Sequence, residues 1–440
     1  MLEKLFHLKD KKTNVKTELL AGLTTFLAMA YILAVNPSIL GESGMSIQSV
    51  FMATALSAGV ASVLMGLLAN YPVALAPGMG VNALFTYTVV FGMGYSWQAA
   101  LASVFISGVI FLLISVTGLR KMIINAIPKQ LKLAIGAGIG FFIAFVALKN
   151  AGIVVADSAT GVALGDLTQP TVLLAIFGIL VTIACVIKKV PAAVFVGMVI
   201  TAIVGLVLGF FGIEGMPSLP AQFITTDFSM ETFGAFSKGF GELFADPFAC
   251  FVIVFSFLFV DFFDTAGTLV AVGNRCGLVN EDGELENVDR ALLSDSVGTV
   301  VGAVFGTSTV TSFVESSSGV EVGGRTGLTA CTTGALFFLS ILISPIVLST
   351  ATNAVTAPAL IVVGMLMAQQ LGGIDWDDFV SAASGFVTII TMVLSYSIAN
   401  GIALGFITYT VAMTASGKAK KISPIIWILD VVFILYFAFI

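Results

Sequence analysis

The sequence holds a single histidine, His7, in 440 residues, and only 10% of its residues are Asp, Glu, Lys or Arg. Soluble domains carry about 25% charged residues, so a solvated surface over most of the chain is excluded. With its one histidine in the polar N-terminal segment, the chain has no imidazole for a proton relay inside an apolar run. The four cysteines, Cys185, Cys250, Cys276 and Cys331, show no metal-ligand spacing, which argues against a bound metal. The basic residues are few and flank apolar runs, which argues against nucleic-acid binding. The alternating ten-residue segments of an outer-membrane barrel are absent as well.

What the sequence has in abundance is apolar length. Hydrophobic residues make up 58%, and the mean hydropathy is +1.08. Runs of about 20 apolar residues recur, each enough to cross a bilayer as a helix. The chain therefore reads as an all-α polytopic membrane protein. Lys4, Lys9, Lys11, Lys12 and Lys16 precede the first run and predict a cytoplasmic N-terminus. The first span is expected from about Glu18 to Val35, ending at Asn36-Pro37, and the second from Ser46 to Leu68. Arg120, Lys121, Lys129 and Lys132 separate the fourth span from the fifth. Residues 212–247 read as a surface connector with an amphipathic piece. Fifteen candidate segments result, the last being Pro424–Ile440, which either spans the membrane or lies along its interface.

Two segments are too short and too interrupted to be simple spans: Pro72–Phe91, with Pro77, Gly78 and Gly80, and Thr307–Gly324, with Gly319 and the run Ser316, Ser317 and Ser318. Each is third in its half if the run Phe248–Val272 opens the second half. Seven segments in the first half make the second start from the opposite side, as in an inverted repeat. Paired discontinuous segments place half-helix ends at a mid-membrane site. Packing alone also accounts for small residues in such segments.

The run Phe248–Val272 carries Asp261 and Asp264, and the second broken segment carries Glu315. Residues three apart share a helix face, and a carboxylate at mid-membrane costs about 2.5–3.5 kcal/mol. Three such acids suggest proton carriage, a cation site, or recognition of a ligand rich in N–H donors. Asn82 and Ser316 add polar groups, and Phe85, Phe262, Phe263 and Phe313 are able to stack on a flat ring, although lipid or core packing also explains each phenylalanine.

The stretches AGLTTFLAMAYILAVNP, APGMGVNALF, FVDFFDTAGTL and GTSTVTSFVESSSGVEVGGRTGLTA together resemble the adenine/guanine/hypoxanthine permease branch of the nucleobase–ascorbate transporter superfamily. The resemblance covers nearly the whole chain. It implies about fourteen transmembrane helices in a seven-plus-seven inverted repeat. Residues 1–127 and 247–350 would form a core domain, and residues 128–246 and 351–440 a gate domain. It also implies proton-coupled uptake of a purine base, guanine and hypoxanthine ahead of adenine, by elevator-like sliding of core against gate. Location in the cell (inner) membrane, pairing of two copies through the gate and no cofactor are further implications. By the same resemblance Asp261 and Glu315 bind the base, Gly80 and Asn82 form the binding turn, and Asp264 serves coupling or architecture. The uracil branch has a histidine near the first acid; here Phe262, Phe263 and Asp264 follow, and Asp264 is the expected replacement. The alternative is an anion transporter of the same fold, of the sulfate or bicarbonate kind, which fits an acidic centre poorly. Nothing in the sequence suggests an enzyme.

Overall fold

A computed structural model describes residues 2–117, 127–278 and 285–439. Arg120 and Lys121 lie outside the described residues. Ten helices are long and apolar enough to cross a membrane, and Met79–Gly92, Phe379–Leu394 and Pro424–Ala438 are shorter apolar helices. In chain order the spans are 1 (Val15–Glu42), 2 (Ile47–Ala69), 3 (Met79–Gly92), 4 (Trp97–Thr117), 5 (Lys129–Asn150), 6 (Pro170–Ile187) and 7 (Ala193–Phe210). The second half has spans 8 (Pro247–Cys276), 9 (Val288–Phe305), 10 (Ser316–Val322), 11 (Gly327–Thr350), 12 (Asn353–Gly373), 13 (Phe379–Leu394) and 14 (Ile398–Ala415). A fifteenth helix, Pro424–Phe439, packs on spans 8 and 14.

The expectation that span 1 stops at Asn36-Pro37 is corrected. The helix continues to Glu42 with Pro37 inside it, and its break lies at Ala30–Tyr31. Proline removes one backbone donor and kinks a helix without always ending it. Here the Asn36 amide bonds the hydroxyls of Thr54 (2.7 Å) and Thr307 (2.8 Å), fixing this turn against span 2 and the start of the second broken segment. The connector 212–246 holds only the short turns Ala235–Lys238 and Phe240–Leu243, not an extended amphipathic helix. It is tied instead by backbone bonds, Thr225 N to Leu342 O and Gly234 N to Val304 O. The loop after span 5 forms a hairpin of β2 (Val154–Asp157) and β3 (Gly161–Leu164). In its turn the Thr160 backbone N–H and hydroxyl hold the Asp157 carboxyl below the usual range.

The two broken segments meet. Strand β1 (Leu75–Pro77) pairs antiparallel with β4 (Val310–Ser312), Leu75 opposite Ser312 and Pro77 opposite Val310. Flanking bonds extend the pairing: Gly78 N to Thr309 O and Phe313 N to Ala74 O, each 3.0 Å. Irregular backbone at membrane depth must be satisfied by protein, and side-chain hydroxyls do so here. Ser62 of span 2 bonds Leu75 N and O. Thr299 of span 9 donates to Val310 O, while Thr265 of span 8 accepts from Ser312 N. Spans 3 and 10 start from the two sides of this ribbon.

The packing repeats between the halves. Span 4 lies on span 9 as span 11 lies on span 2; span 8 on span 4 as span 1 on span 11. Spans 5 and 12 pack on each other, with spans 6 and 7 against span 12 and spans 13 and 14 against span 5. The 5–12 crossing needs glycine: a Cβ at Gly140 would lie 2.7 Å from Gly364 O, and one at Gly364 would lie 3.0 Å from Ala144 Cβ. This is the close approach that small residues permit between membrane helices.

Candidate functional site

Four acids gather around the β1–β4 ribbon, and they divide into two pairs. The first pair is Asp264 of span 8 and Glu315, the residue capping span 10. Asp264 is exposed and Glu315 half-exposed, although both lie at the centre of the fold. Asp264 accepts from the Thr311 hydroxyl at 3.4 Å, and Glu315 Oε1 accepts from the Tyr31 hydroxyl at 2.5 Å. The exposed face of span 8 continues from Asp264 through Gly267 and Ala271 to Arg275, toward the side of the membrane that carries the N-terminus. Nothing lies within 4 Å of where a Cβ on Gly267 would be. A stripe of about three turns with a carboxylate at one end and an arginine at the other suits a water path rather than a lipid face.

The second pair is Asp261 and Asp295, behind the first. Asp261 is 1% exposed and Asp295 0%. Asp261 Oδ2 accepts from Thr299 Oγ1 at 2.9 Å. Asp295 Oδ1 accepts from Thr265 Oγ1 at 2.8 Å and Ser312 Oγ at 3.2 Å. The remaining oxygens, Asp261 Oδ1 and Asp295 Oδ2, have no hydrogen-bond partner among the described residues. Two neighbouring carboxyls in a buried site do not both ionise readily.

The expected site residues fall into different places. Asp264 and Glu315 face open space; Asp261, expected to face the ligand, is buried behind them. Asn82 is buried, its Oδ1 accepting from the Ser308 hydroxyl while its Nδ2 has no partner. That orphan donor is the sort of buried group that needs an explanation. Phe313 is 6% exposed and lies in the ribbon, bonded to Ala74 O. Ser316 accepts from Ala74 N at 3.0 Å and so joins the two broken segments. A Cβ on Gly80 would lie 2.8 Å from Ile139 of span 5, so this glycine serves the approach of spans 3 and 5. Phe262 points away from the acids: it packs edge-on against Phe111 of span 4 at 5.4 Å and lines an apolar crevice of about 170 Å³ with Phe255, Phe259 and Leu429. Phe85 packs on Phe257 and Phe263 on Phe259. Two residues were not anticipated, Asp295 and Tyr31. An acid inside span 9 was the available signal for the first, and a tyrosine at the break of span 1 for the second.

Opposite the water path, at the far ends of spans 1 and 3, the two packing groups touch. The Asn150 amide of span 5 bonds Glu42 Oε1 (2.7 Å) and the Tyr87 hydroxyl (3.1 Å). Ile398 N of span 14 donates to Thr88 Oγ1 at 3.1 Å, and Tyr87, Phe142 and Tyr396 pack edge-to-face.

A polytopic helical protein whose halves repeat in packing, cross through two broken helices and set acids at the crossing is a membrane transporter of the inverted-repeat kind. The sequence matches the Permease family (Xan_ur_permease) over residues 16–404, and the chain belongs to it, within its purine permease branch. It is 49% identical to the guanine/hypoxanthine permease PbuG of Bacillus subtilis over 100% of both chains. It is 41% identical to the adenine permease AdeP of Escherichia coli over 100% of this chain and 96% of that one. Among solved structures, the transmembrane domain of the cyanobacterial bicarbonate transporter BicA aligns with TM-score 0.59 at 17% identity, covering 92% of this chain and 97% of that one. The murine anion transporter Slc26a9 in the inward-facing state aligns with TM-score 0.60 at 11% identity, covering 91% and 68%.

Proposed function

We propose that the chain carries purine nucleobases inward with protons, guanine and hypoxanthine first and adenine next. The observation that carries this reading is the chemistry at the crossing. Four acids stand there with hydroxyl partners only, and no cation bonds them among the described residues. A purine presents ring N–H and exocyclic N–H donors, which carboxylates accept as charge-assisted bonds. The burial order moves the base-facing role to Asp264 with Glu315, the Asn82 amide supplying a donor for a ring nitrogen or carbonyl. Asp261, with Asp295, becomes the proton-holding pair.

The relatives named for guanine, hypoxanthine and adenine support the substrate class. Residues 1–127 and 247–350 serve as the moving core, and residues 128–246 and 351–440 as the gate on which two copies pair. The water path from Asp264 to Arg275 and the closed contacts at Glu42–Asn150 support an arrangement open to the N-terminal side, which the lysines near residue 1 make the cytoplasmic side of the inner membrane. Sliding the core along the gate would break those contacts and close the path.

The anion reading is favoured by the fold neighbours alone. An anion needs a positive centre, and this one is acidic. Uptake of labelled hypoxanthine, guanine and adenine into cells lacking their own carriers tests the proposal. Uptake of at least one base, abolished by a protonophore and by Asp264→Asn or Glu315→Gln, is expected. A purified protein stabilised against heat by bicarbonate or sulfate, and by no purine, would overturn it.

A further inference from the structure

Glu315 stands at the N-cap of a helix of only seven residues and needs an outside support to hold one orientation. The support comes from span 1. Its helix stops at Met29 and restarts at Ile32, and the interruption brings Tyr31, 1% exposed, to Glu315 Oε1 at 2.5 Å. Span 10 leans on the same span: a Cβ on Gly319 would lie 2.7 Å from Ala21 O. The tyrosine hydroxyl thus occupies one carboxylate oxygen, and the half-exposed remainder of Glu315 is presented to the open space shared with Asp264.

We propose that Tyr31 is a positioning residue for substrate, fixing Glu315 as an oriented, ionised acceptor of a base N–H. This rests on the reading of Glu315 as a base ligand given above. A phenol donating to a carboxylate favours its charged form. The groups facing Glu315 are Tyr31 from span 1 and Asp264 from span 8. Asp261 is turned toward Asp295. Glu18 is engaged by the Arg325 and Thr326 backbone, the Arg325 guanidinium by Val320 O and Gly324 O, and Arg275 pairs with Glu321. Loss of the phenol hydroxyl therefore removes the side-chain donor to Glu315 and leaves it facing Asp264.

The test is equilibrium binding of labelled hypoxanthine to the purified full chain across pH, with Tyr31→Phe and with 3-fluorotyrosine placed at position 31. Tyr31→Phe is expected to weaken binding about tenfold at neutral pH and to move the acid limb of the binding curve up by about one pH unit, the size of one charge-assisted bond. Fluorotyrosine, a stronger donor, is expected to move the limb down, and it settles the matter if the phenylalanine variant does not fold. Uptake at saturating base should change less than affinity. An acid limb unmoved by either change, or weakening equal at every pH, overturns the proposal. Absence of binding of guanine, hypoxanthine and adenine by the unmodified chain refutes instead the reading it rests on.

Discussion

Replacing Asp295 by Asn and by Ala separates a proton-sharing pair from a pair of charges. In the structure Asp295 Oδ1 accepts from Thr265 and Ser312, while Oδ2 is buried without a partner among the described residues. Asparagine keeps an acceptor where Oδ1 stands and puts an N–H donor where Oδ2 stands, as a proton held by the pair would. It copies the protonated acid, so its cost is about 1 kcal/mol or less. Alanine strips the acceptor from two buried hydroxyls, each worth about 1–3 kcal/mol when orphaned. Discounted because both hydroxyls can turn to nearby carbonyls, the alanine cost is about 2–4 kcal/mol. The two variants should then differ by about 2–3 °C in unfolding temperature, measured on purified protein by intrinsic fluorescence. Asparagine should also bind base while losing the response of uptake to a pH gradient. Equal destabilisation by Asn and Ala would refute the shared proton, because an amide helps only if a donor already stood between the two acids.

Gly364→Leu is expected to destabilise the protein by about 1–3 kcal/mol or prevent its assembly, since spans 5 and 12 must separate to admit the side chain; the unfolding temperature checks this. Gly267→Cys, in a chain with its four cysteines replaced, is expected to react with a membrane-impermeant maleimide from the side carrying the N-terminus and not from the other side. Labelling of everted and right-side-out vesicles reads this directly.

Much of the site was legible because charge is scarce. Against so apolar a background Asp261, Asp264 and Glu315 stand out, and the prolines around β1 mark a segment unable to be one helix. What the sequence hid was direction. Residues three apart on a helix differ by about 60°, enough for Asp261 to face span 9 while Asp264 faces water. Phe262, about 100° round from Asp261, was bound to point elsewhere, toward Phe111. Asp295 was obscured by its neighbours: Asp289 and Arg290 made the start of span 9 read as a membrane edge. Tyr31 had no local signature, because its role exists only through Glu315, 284 residues away.

The β1–β4 pairing has a consequence for biogenesis. The strand Leu75–Pro77 leaves the ribosome long before its partner, since 233 residues separate Pro77 from Val310 (310 − 77). At about 5–20 residues per second this is an interval of about 10–50 s. Throughout it the backbone of β1 is a row of peptide groups at membrane depth whose cross-strand partner has not been made, and each unsatisfied group costs several kcal/mol in lipid. Ser62, already synthesised, can bond Leu75, but the other edge has no ligand of its own. The first half is therefore a client for whatever shields polar backbone at the translocon, and the two halves reach their final depth together or not at all.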